Sequence, residues 1–189
     1  MVGLFVVVPL AATGSMQGRV VEYTFSLVIV FGAASATSDR KVGRVLLALA
    51  GVAVTLSLVT SGPLATLATL IYLVTQCLVL LKEVMLREGK VDHRRIQGAV
   101  AVYLLIGLAW SQAYFLVEQL APGAFQATST PDETALVYFS YVTLSTVGYG
   151  DVTPAHPFAY SLAVAEALVG QLYPAILIGR LVSLVPTRY

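Results

Sequence analysis

The sequence predicts an all-α integral membrane protein with six transmembrane helices and a short re-entrant helix. The first observation is composition: 58% of the 189 residues are hydrophobic, only 11% are charged, and the mean hydropathy is +0.84. A globular domain carries about 25% charged residues, so this chain could not cover a water-exposed surface of its size. The second observation is a series of long apolar runs, and the third is the placement of basic residues between them.

The apolar runs give the number of spans. A helix needs about 20 apolar residues to cross the hydrocarbon of a bilayer. The predicted spans are residues 2–13, 20–36, 45–60, 64–81, 96–120 and 158–185. The first run is short for a span, so we expect either that it extends to about Met16 or that further residues precede it.

The basic residues predict the orientation. If the chain starts on the cytoplasmic side and crosses six times, all 11 basic residues except Arg19 fall in cytoplasmic segments. Those residues are Arg40, Lys41, Arg44, Lys82, Arg87, Lys90, Arg94, Arg95, Arg180 and Arg188. Positive charge is retained on the cytoplasmic side of membrane proteins. The chain is therefore expected in the cell membrane, with both termini cytoplasmic and residues 121–157 outside.

The long region between the last two runs predicts a helix that enters the membrane without crossing it. Residues 129–133, "STPDE", supply a cap, expected at Ser129 or Thr130, and an acidic first turn. The helix then extends for about 13 residues, or roughly 20 Å, to Leu144 or Ser145. The chain returns through "TVGYGDVTP" with irregular backbone, which is tolerated at membrane depth only inside protein or beside water. This return limb is therefore expected to line a pore.

The six residues "TVGYGD" resemble the selectivity-filter signature of tetrameric potassium channels. They are Thr146, Val147, Gly148, Tyr149, Gly150 and Asp151. The short helix before them and the long spans on either side match the context of that family. The resemblance implies a homotetramer in membrane lipid that conducts K+ passively, with K+ as the permeant ion and no cofactor. It covers about residues 96–189.

The resemblance also implies what each residue of the signature does. Backbone oxygens of Thr146, Val147, Gly148 and Tyr149, with the Thr146 hydroxyl, would bind K+ in rings completed by four chains. The glycines allow alternate residues to adopt the backbone angles that turn successive carbonyls toward one axis. The side chains of Val147 and Tyr149 are expected to pack against the re-entrant helix.

Aromatic and acidic side chains surround this limb. The aromatic residues predict either ordinary packing or a cuff that holds the filter at its diameter; they are Tyr138, Phe139, Tyr141 and Tyr149. Members of the family often carry two tryptophans at 138–139, and some carry a glutamate where Val142 stands. Four acids are expected near the outer mouth, either to concentrate cations or to solvate helix ends. They are Glu118, Asp132, Glu133 and Asp151.

The last span is expected to line the inner pore. Gly170 stands where the family places its hinge glycine, and Pro174 removes a helix hydrogen bond, so the pair predicts a gating bend. Ile178 and Val182 follow on one face and are candidates for an apolar constriction, or only pack against neighbours. Glu166 is an acid inside this span; it either bonds pore-helix hydroxyls such as those of residues 143 and 145 or tunes the field of the cavity.

The first half is matched to the family only by its number of spans. Residues 1–81 form a four-span domain that resembles a voltage sensor, residues 82–95 an interfacial cytoplasmic linker, and residues 96–189 the pore domain. A voltage sensor needs Arg or Lys at every third position of its fourth span. Residues 64–81 contain neither, so strong voltage gating is not expected.

Other classes of protein remain as alternatives. A secondary potassium transporter usually carries several degenerate filter loops in one chain, whereas this chain has one intact loop. A non-conducting membrane scaffold has no feature in its favour. An enzyme is not expected, because no nucleophile, metal or phosphate constellation is present, and no feature suggests a nucleic-acid partner.

Overall fold

The computed structural model describes residues 62–86, 93–128 and 130–183, and single positions between 45 and 55. The predicted spans 2–13 and 20–36 lie outside the described residues, and so does most of 45–60. The number of six spans therefore stays a prediction.

The described part of the chain is mainly helical. Its helices are α1 Pro63–Leu86, α2 His93–Leu120, α3 Glu133–Leu144 and α4 Pro157–Ser183, and its strands are β1 Phe125–Gln126 and β2 Thr153–Pro154. The helices α1, α2 and α4 are long and apolar enough to cross a membrane. They coincide with the predicted spans 64–81, 96–120 and 158–185, which agrees with the prediction of a mainly helical membrane protein for this part of the chain.

The helices α1 and α2 lie side by side in opposite directions. Near the start of α1, the hydroxyl of Thr66 donates a hydrogen bond to the Gln119 side chain at 3.2 Å. Near its end, Arg95 Nε donates to the carbonyl of Val84 at 2.8 Å. The expected linker 82–95 is divided between the two helices, since α1 continues to Leu86 and α2 starts at His93.

Two hydrophobic clusters hold the bundle together. The first lies where α2 packs against α1 and the inner part of α4, and includes Leu80, Leu105 and Tyr173. The hydroxyl of Tyr173 donates to the carbonyl of Ala99 at 2.8 Å, which joins α4 to α2. This cluster places α1 in the same core as α2 and α4. The division of the chain into domains at residues 81 and 95 stays a prediction.

The second cluster lies beside the loop that follows α3. The rings of Tyr114, Phe125 and Phe139 meet edge to face, with centroids 5.1–5.4 Å apart. Such pairs contribute about 0.5–1.5 kcal/mol beyond their buried area. Next to them, β1 pairs with β2 in antiparallel register, with Phe125 opposite Pro154. The segment before α3 is thereby fixed to the segment after the "TVGYGD" loop.

Candidate functional site

The helix α3 positions the signature loop. It has 12 residues, Glu133–Leu144, close to the predicted length. Its N-cap is Asp132, whose Oδ1 accepts the backbone N–H of Ala135 at 2.8 Å, so the cap expected at Ser129 or Thr130 was wrong. The carboxylate is favoured there because it accepts an otherwise unpaired N–H at the positive end of the helix dipole.

The loop folds directly back onto the end of α3. The backbone N–H groups of Ser145, Thr146 and Val147 donate to the carbonyls of Tyr141, Thr143 and Val142, respectively, at 2.9–3.0 Å. The last carbonyls of a helix lack partners within the helix, and here the loop itself supplies them. The entrance to the signature is therefore set by the end of α3.

Alternate residues of the signature have left-handed backbone. The φ angles are +60° at Thr146, +58° at Gly148 and +80° at Gly150. Glycine adopts such angles without a Cβ clash, as the sequence predicted at 148 and 150. The sequence did not predict the positive φ of Thr146, because this conformation is an outlier for a β-branched residue and costs about 1–3 kcal/mol. The strain lies at the residue whose hydroxyl is expected to face a cation.

The side chains that alternate with these left-handed residues are exposed to solvent in the single chain. Val147 is 51% exposed and Tyr149 is 72% exposed. Their expected packing against α3 is therefore only partial. Within the described residues, one face of the signature loop is not buried by other side chains. The Cβ positions of Gly148 and Gly150 also meet no atom within 4 Å.

Tyr138 of α3 reaches the end of the signature. Its phenol lies near the carboxylate of Asp151, and this carboxylate raises the pKa of Tyr138 above its usual value. Asp151 Oδ1 also accepts the N–H of Val152 at 3.1 Å. Residue 142 is a valine, so no carboxylate approaches Asp151 from that position.

Glu118 and Glu133, the other two acids expected at the mouth, also have structural partners. The carboxylate of Glu118 is buried and accepts the N–H groups of Gly123 and Phe125 at 2.8 and 3.0 Å. Glu133 Oε1 accepts from Gln112 Nε2 at 2.7 Å. Glu118 therefore orders the turn before β1 rather than facing an opening.

Glu166 joins three helices. It is fully buried, and its two oxygens contact the hydroxyls of Tyr114 on α2 and Ser140 on α3. A bond to a pore-helix hydroxyl was one of the two roles expected, although residue 140 replaces residues 143 and 145 as its partner. Tyr114 carries no sequence signal of this role, because a tyrosine in an apolar span is normally read as packing.

Gly170 lies against the end of α3. A Cβ built on Gly170 would be 2.0 Å from the carbonyl oxygen of Leu144. The same carbonyl accepts the hydroxyl of Tyr103 at 3.3 Å. The residue at 170 must therefore lack a side chain for α4 to approach the pore helix this closely, whatever it also contributes to bending.

The inner half of α4 presents the remaining predicted residues. The helix continues through Pro174 to Ser183. Ile178 and Val182 are 61% and 65% exposed, on the side of α4 away from Tyr173 and the core. They are available to other chains or to a central cavity. No group of three or more His, Cys, Asp or Glu in the described residues could hold a metal ion.

Comparison with known proteins identifies the part of the chain that carries this site. Residues 102–186 match the family described as "Ion channel". This match covers a little less than half of the chain. It begins within α2 and contains α3, the signature and α4, so the channel segment includes every element of the site.

Relatives of the channel segment include proteins named as potassium channels. The chain is 35% identical over 86 residues to two pore potassium channel c of Oryza sativa subsp. japonica, covering 44% of this chain and 18% of that protein. It is 34% identical over 87 residues to protein LctB of Bacillus caldotenax, covering 42% and 64%. It is 33% identical over 79 residues to inward rectifier potassium channel Kirbac3.1 of Paramagnetospirillum magnetotacticum, covering 40% and 24%.

These matches confirm the resemblance to potassium channels that the signature predicts. The chain spans less than two thirds of the length of each of these relatives. No solved structure gives a significant match to it.

Proposed function

We propose that the protein is a potassium-selective channel that conducts K+ passively through a pore formed by four copies of the chain. The observation that carries the proposal is the alternation of left-handed backbone at Thr146, Gly148 and Gly150 within an intact "TVGYGD" segment. Alternation of this kind turns successive carbonyl oxygens toward one side. Oxygens arranged in that way replace the hydration shell of K+.

Four copies are proposed because one loop supplies only one side of each ring. The exposed side chains of Val147 and Tyr149 fit the same arrangement, since a neighbouring subunit would cover them. The exposed face of α4 includes Val164, Leu168 and Leu172, which would pack against the neighbours or lipid. The backbone oxygens of residues 146–149 and the Thr146 hydroxyl would form the K+ sites.

The inner half of α4 is the proposed gate. A bend at Gly170 and Pro174 would move Ile178 and Val182 relative to the axis, and apolar side chains close a pore by excluding water. The close contact between Gly170 and Leu144 supports a link between this bend and the filter, because movement of α4 there displaces the end of the pore helix.

The gate is not expected to follow voltage steeply. The helix α1 contains no Arg or Lys before Lys82, and a voltage sensor needs regularly spaced charges inside the membrane. We also propose that the protein lies in the cell membrane with both termini cytoplasmic, as the basic residues indicate. In that orientation Asp151 faces the outside, and Arg180 lies at the inner end of the pore.

The proposal is tested by recording from the purified full-length protein in planar bilayers. Under a potassium gradient the reversal potential should follow K+, and replacing K+ with Na+ should remove most of the current. Gly148→Ala should abolish conduction, because alanine disfavours the backbone angle at that position. The matched control is Gly123→Ala, which places the same strain outside the filter, at φ +86°. A reversal potential indifferent to K+ would refute the proposal.

A further inference from the structure

Glu166, Ser140 and Gly107 form a continuous line of polar contacts through three helices. The hydroxyl oxygen of Ser140 lies 2.7 Å from the carbonyl oxygen of Gly107 and 2.6 Å from Glu166 Oε1. The other carboxyl oxygen of Glu166 contacts the hydroxyl of Tyr114. Ser140 and Glu166 have no exposed surface, so water does not replace any of these contacts in this arrangement.

Counting hydrogens along this line restricts the form of the carboxyl group. Two oxygens at 2.6–2.7 Å need a hydrogen between them, and a serine hydroxyl has only one to donate. The carbonyl of Gly107 is an acceptor only, so the hydrogen between it and Ser140 belongs to Ser140. The hydrogen between Ser140 and Glu166 must then belong to Glu166.

An ionised Glu166 does not satisfy the same geometry. A carboxylate only accepts, so Ser140 would have to share one hydrogen between two acceptors on different helices. One of the two short contacts of Ser140 would then have no hydrogen between its oxygens, although both are 2.6–2.7 Å long. The other titratable groups that face Glu166 are the phenols of Tyr114 and Tyr103 on α2 and of Tyr141 on α3. Each of these is neutral, so among the described residues none compensates a negative charge.

We infer that Glu166 is a neutral carboxylic acid that donates its proton to Ser140. The line of donors then has a single direction: Tyr114 to Glu166, Glu166 to Ser140, and Ser140 to the Gly107 carbonyl. Every polar atom in it then has a partner. The Glu166 proton joins α4 to α3, and the bond from Tyr114 joins α4 to α2. This inference concerns the state of one side chain and stands whether or not the protein conducts K+.

The proton can be observed directly in the native protein. Full-length protein with 13C-labelled glutamate and serine is reconstituted in lipid and studied by solid-state NMR at neutral pH. The Cδ signal of Glu166 is assigned through its proximity to the Ser140 side chain. A chemical shift in the carboxylic-acid range is expected. A shift in the carboxylate range would overturn the inference, and no variant needs to fold for either result.

Variants provide a second readout. Glu166→Gln presents an N–H donor to Ser140 and an acceptor to Tyr114, as the neutral acid does, so the unfolding midpoint should stay within about 2 °C of the wild type. Glu166→Leu removes both bonds and should lower the midpoint by about 4 °C or more. If Glu166→Gln is destabilised as strongly as Glu166→Leu, or fails to assemble, the residue is an ionised acceptor and the inference is wrong.

The pH dependence of stability distinguishes a protonated Glu166 from a side chain that only fills space. Removing the proton breaks the bond from Glu166 to Ser140, so the wild type should lose stability as the pH rises. The amide of Glu166→Gln does not titrate and should lack this loss, while losses from other groups are common to both proteins. Identical pH profiles for the two proteins would contradict the inference.

Discussion

The carbonyl oxygen of Leu144 occupies the space where a side chain at residue 170 would begin. The distance from that oxygen to a Cβ built on Gly170 is 2.0 Å, much shorter than any real contact. Gly170 therefore permits α4 to touch the backbone of α3 at Leu144, where α3 ends and the signature loop begins. This contact makes the position of α4 depend on the position of the residue that precedes the signature loop.

We predict that Gly170→Ala destabilises the protein. In a helix interior, alanine is normally about 0.5–1 kcal/mol more stable than glycine. At residue 170 the new Cβ meets a backbone oxygen, and overpacking of this kind costs about 1–3 kcal/mol, so the sign reverses. Thermal unfolding of the purified protein measures the difference. Gly179→Ala in the same helix is the control, because a Cβ there meets no atom within 4 Å; equal effects of the two substitutions would contradict the prediction.

A second close approach joins α2 to α3. A Cβ on Gly107 would lie 2.4 Å from the ring of Tyr141, whose hydroxyl is bonded to the carbonyl of Leu104 at 2.8 Å. We predict that Gly107→Ala is destabilising by about 1–3 kcal/mol. In the background Tyr141→Leu the same change should cost much less, because the obstructing ring is gone. A double-mutant cycle measures this coupling, and simple additivity would show that the ring is not the obstacle.

The backbone conformation of the signature loop could be predicted from sequence because its signal is local. Six contiguous residues and two glycines at alternate positions specify the backbone of residues 146–151, and the length of α3 follows from its flanking residues. The predicted end of α3 at Leu144 agrees with the structure. The cap was placed wrongly because residues 129–133 offer several competing acceptors, and only the packed helix decides that Asp132 is the one used.

The contacts around the signature loop and α3 could not be predicted because they join distant segments of the chain. Tyr114 lies 52 positions from Glu166, and Tyr103 lies 41 positions from Leu144. Each is a tyrosine in an apolar helix, a pattern shared by residues that only pack. Gly107 likewise has no sequence feature that distinguishes it from other glycines in spans. What selects these residues is the geometry of helix packing, which one sequence does not display.

Arg95 of α2 and Arg180 of α4 both donate to carbonyls at the end of α1, and they should differ in importance. Arg95 is 4% exposed and donates to the Val84 carbonyl at 2.8 Å, whereas Arg180 is exposed and donates to the Met85 carbonyl at 3.3 Å. A hydrogen bond from a charged donor contributes about 1.5–3 kcal/mol when well formed, and exposed charged contacts contribute about 0–1 kcal/mol. Thermal unfolding should therefore show a much larger loss for Arg95→Ala than for Arg180→Ala. Equal losses would show that burial does not decide the strength of these contacts.

The interaction between the Tyr138 phenol and the Asp151 carboxylate should make the proposed filter sensitive to strongly alkaline solution outside. The carboxylate raises the pKa of Tyr138 above the usual tyrosine value of about 10. For a group with a raised pKa, the interaction is complete below the usual value and is lost as the pH rises through the raised one. Single-channel activity should thus be constant up to about pH 10 and then fall, as the phenolate repels Asp151.

Tyr138→Phe lacks the donor and should show reduced activity already at neutral pH, without this further decline. Tyr160→Phe is the matched control, since that ring is 52% exposed on the outer part of α4. If the wild type and Tyr138→Phe decline alike above pH 10, the phenol does not support the filter through Asp151.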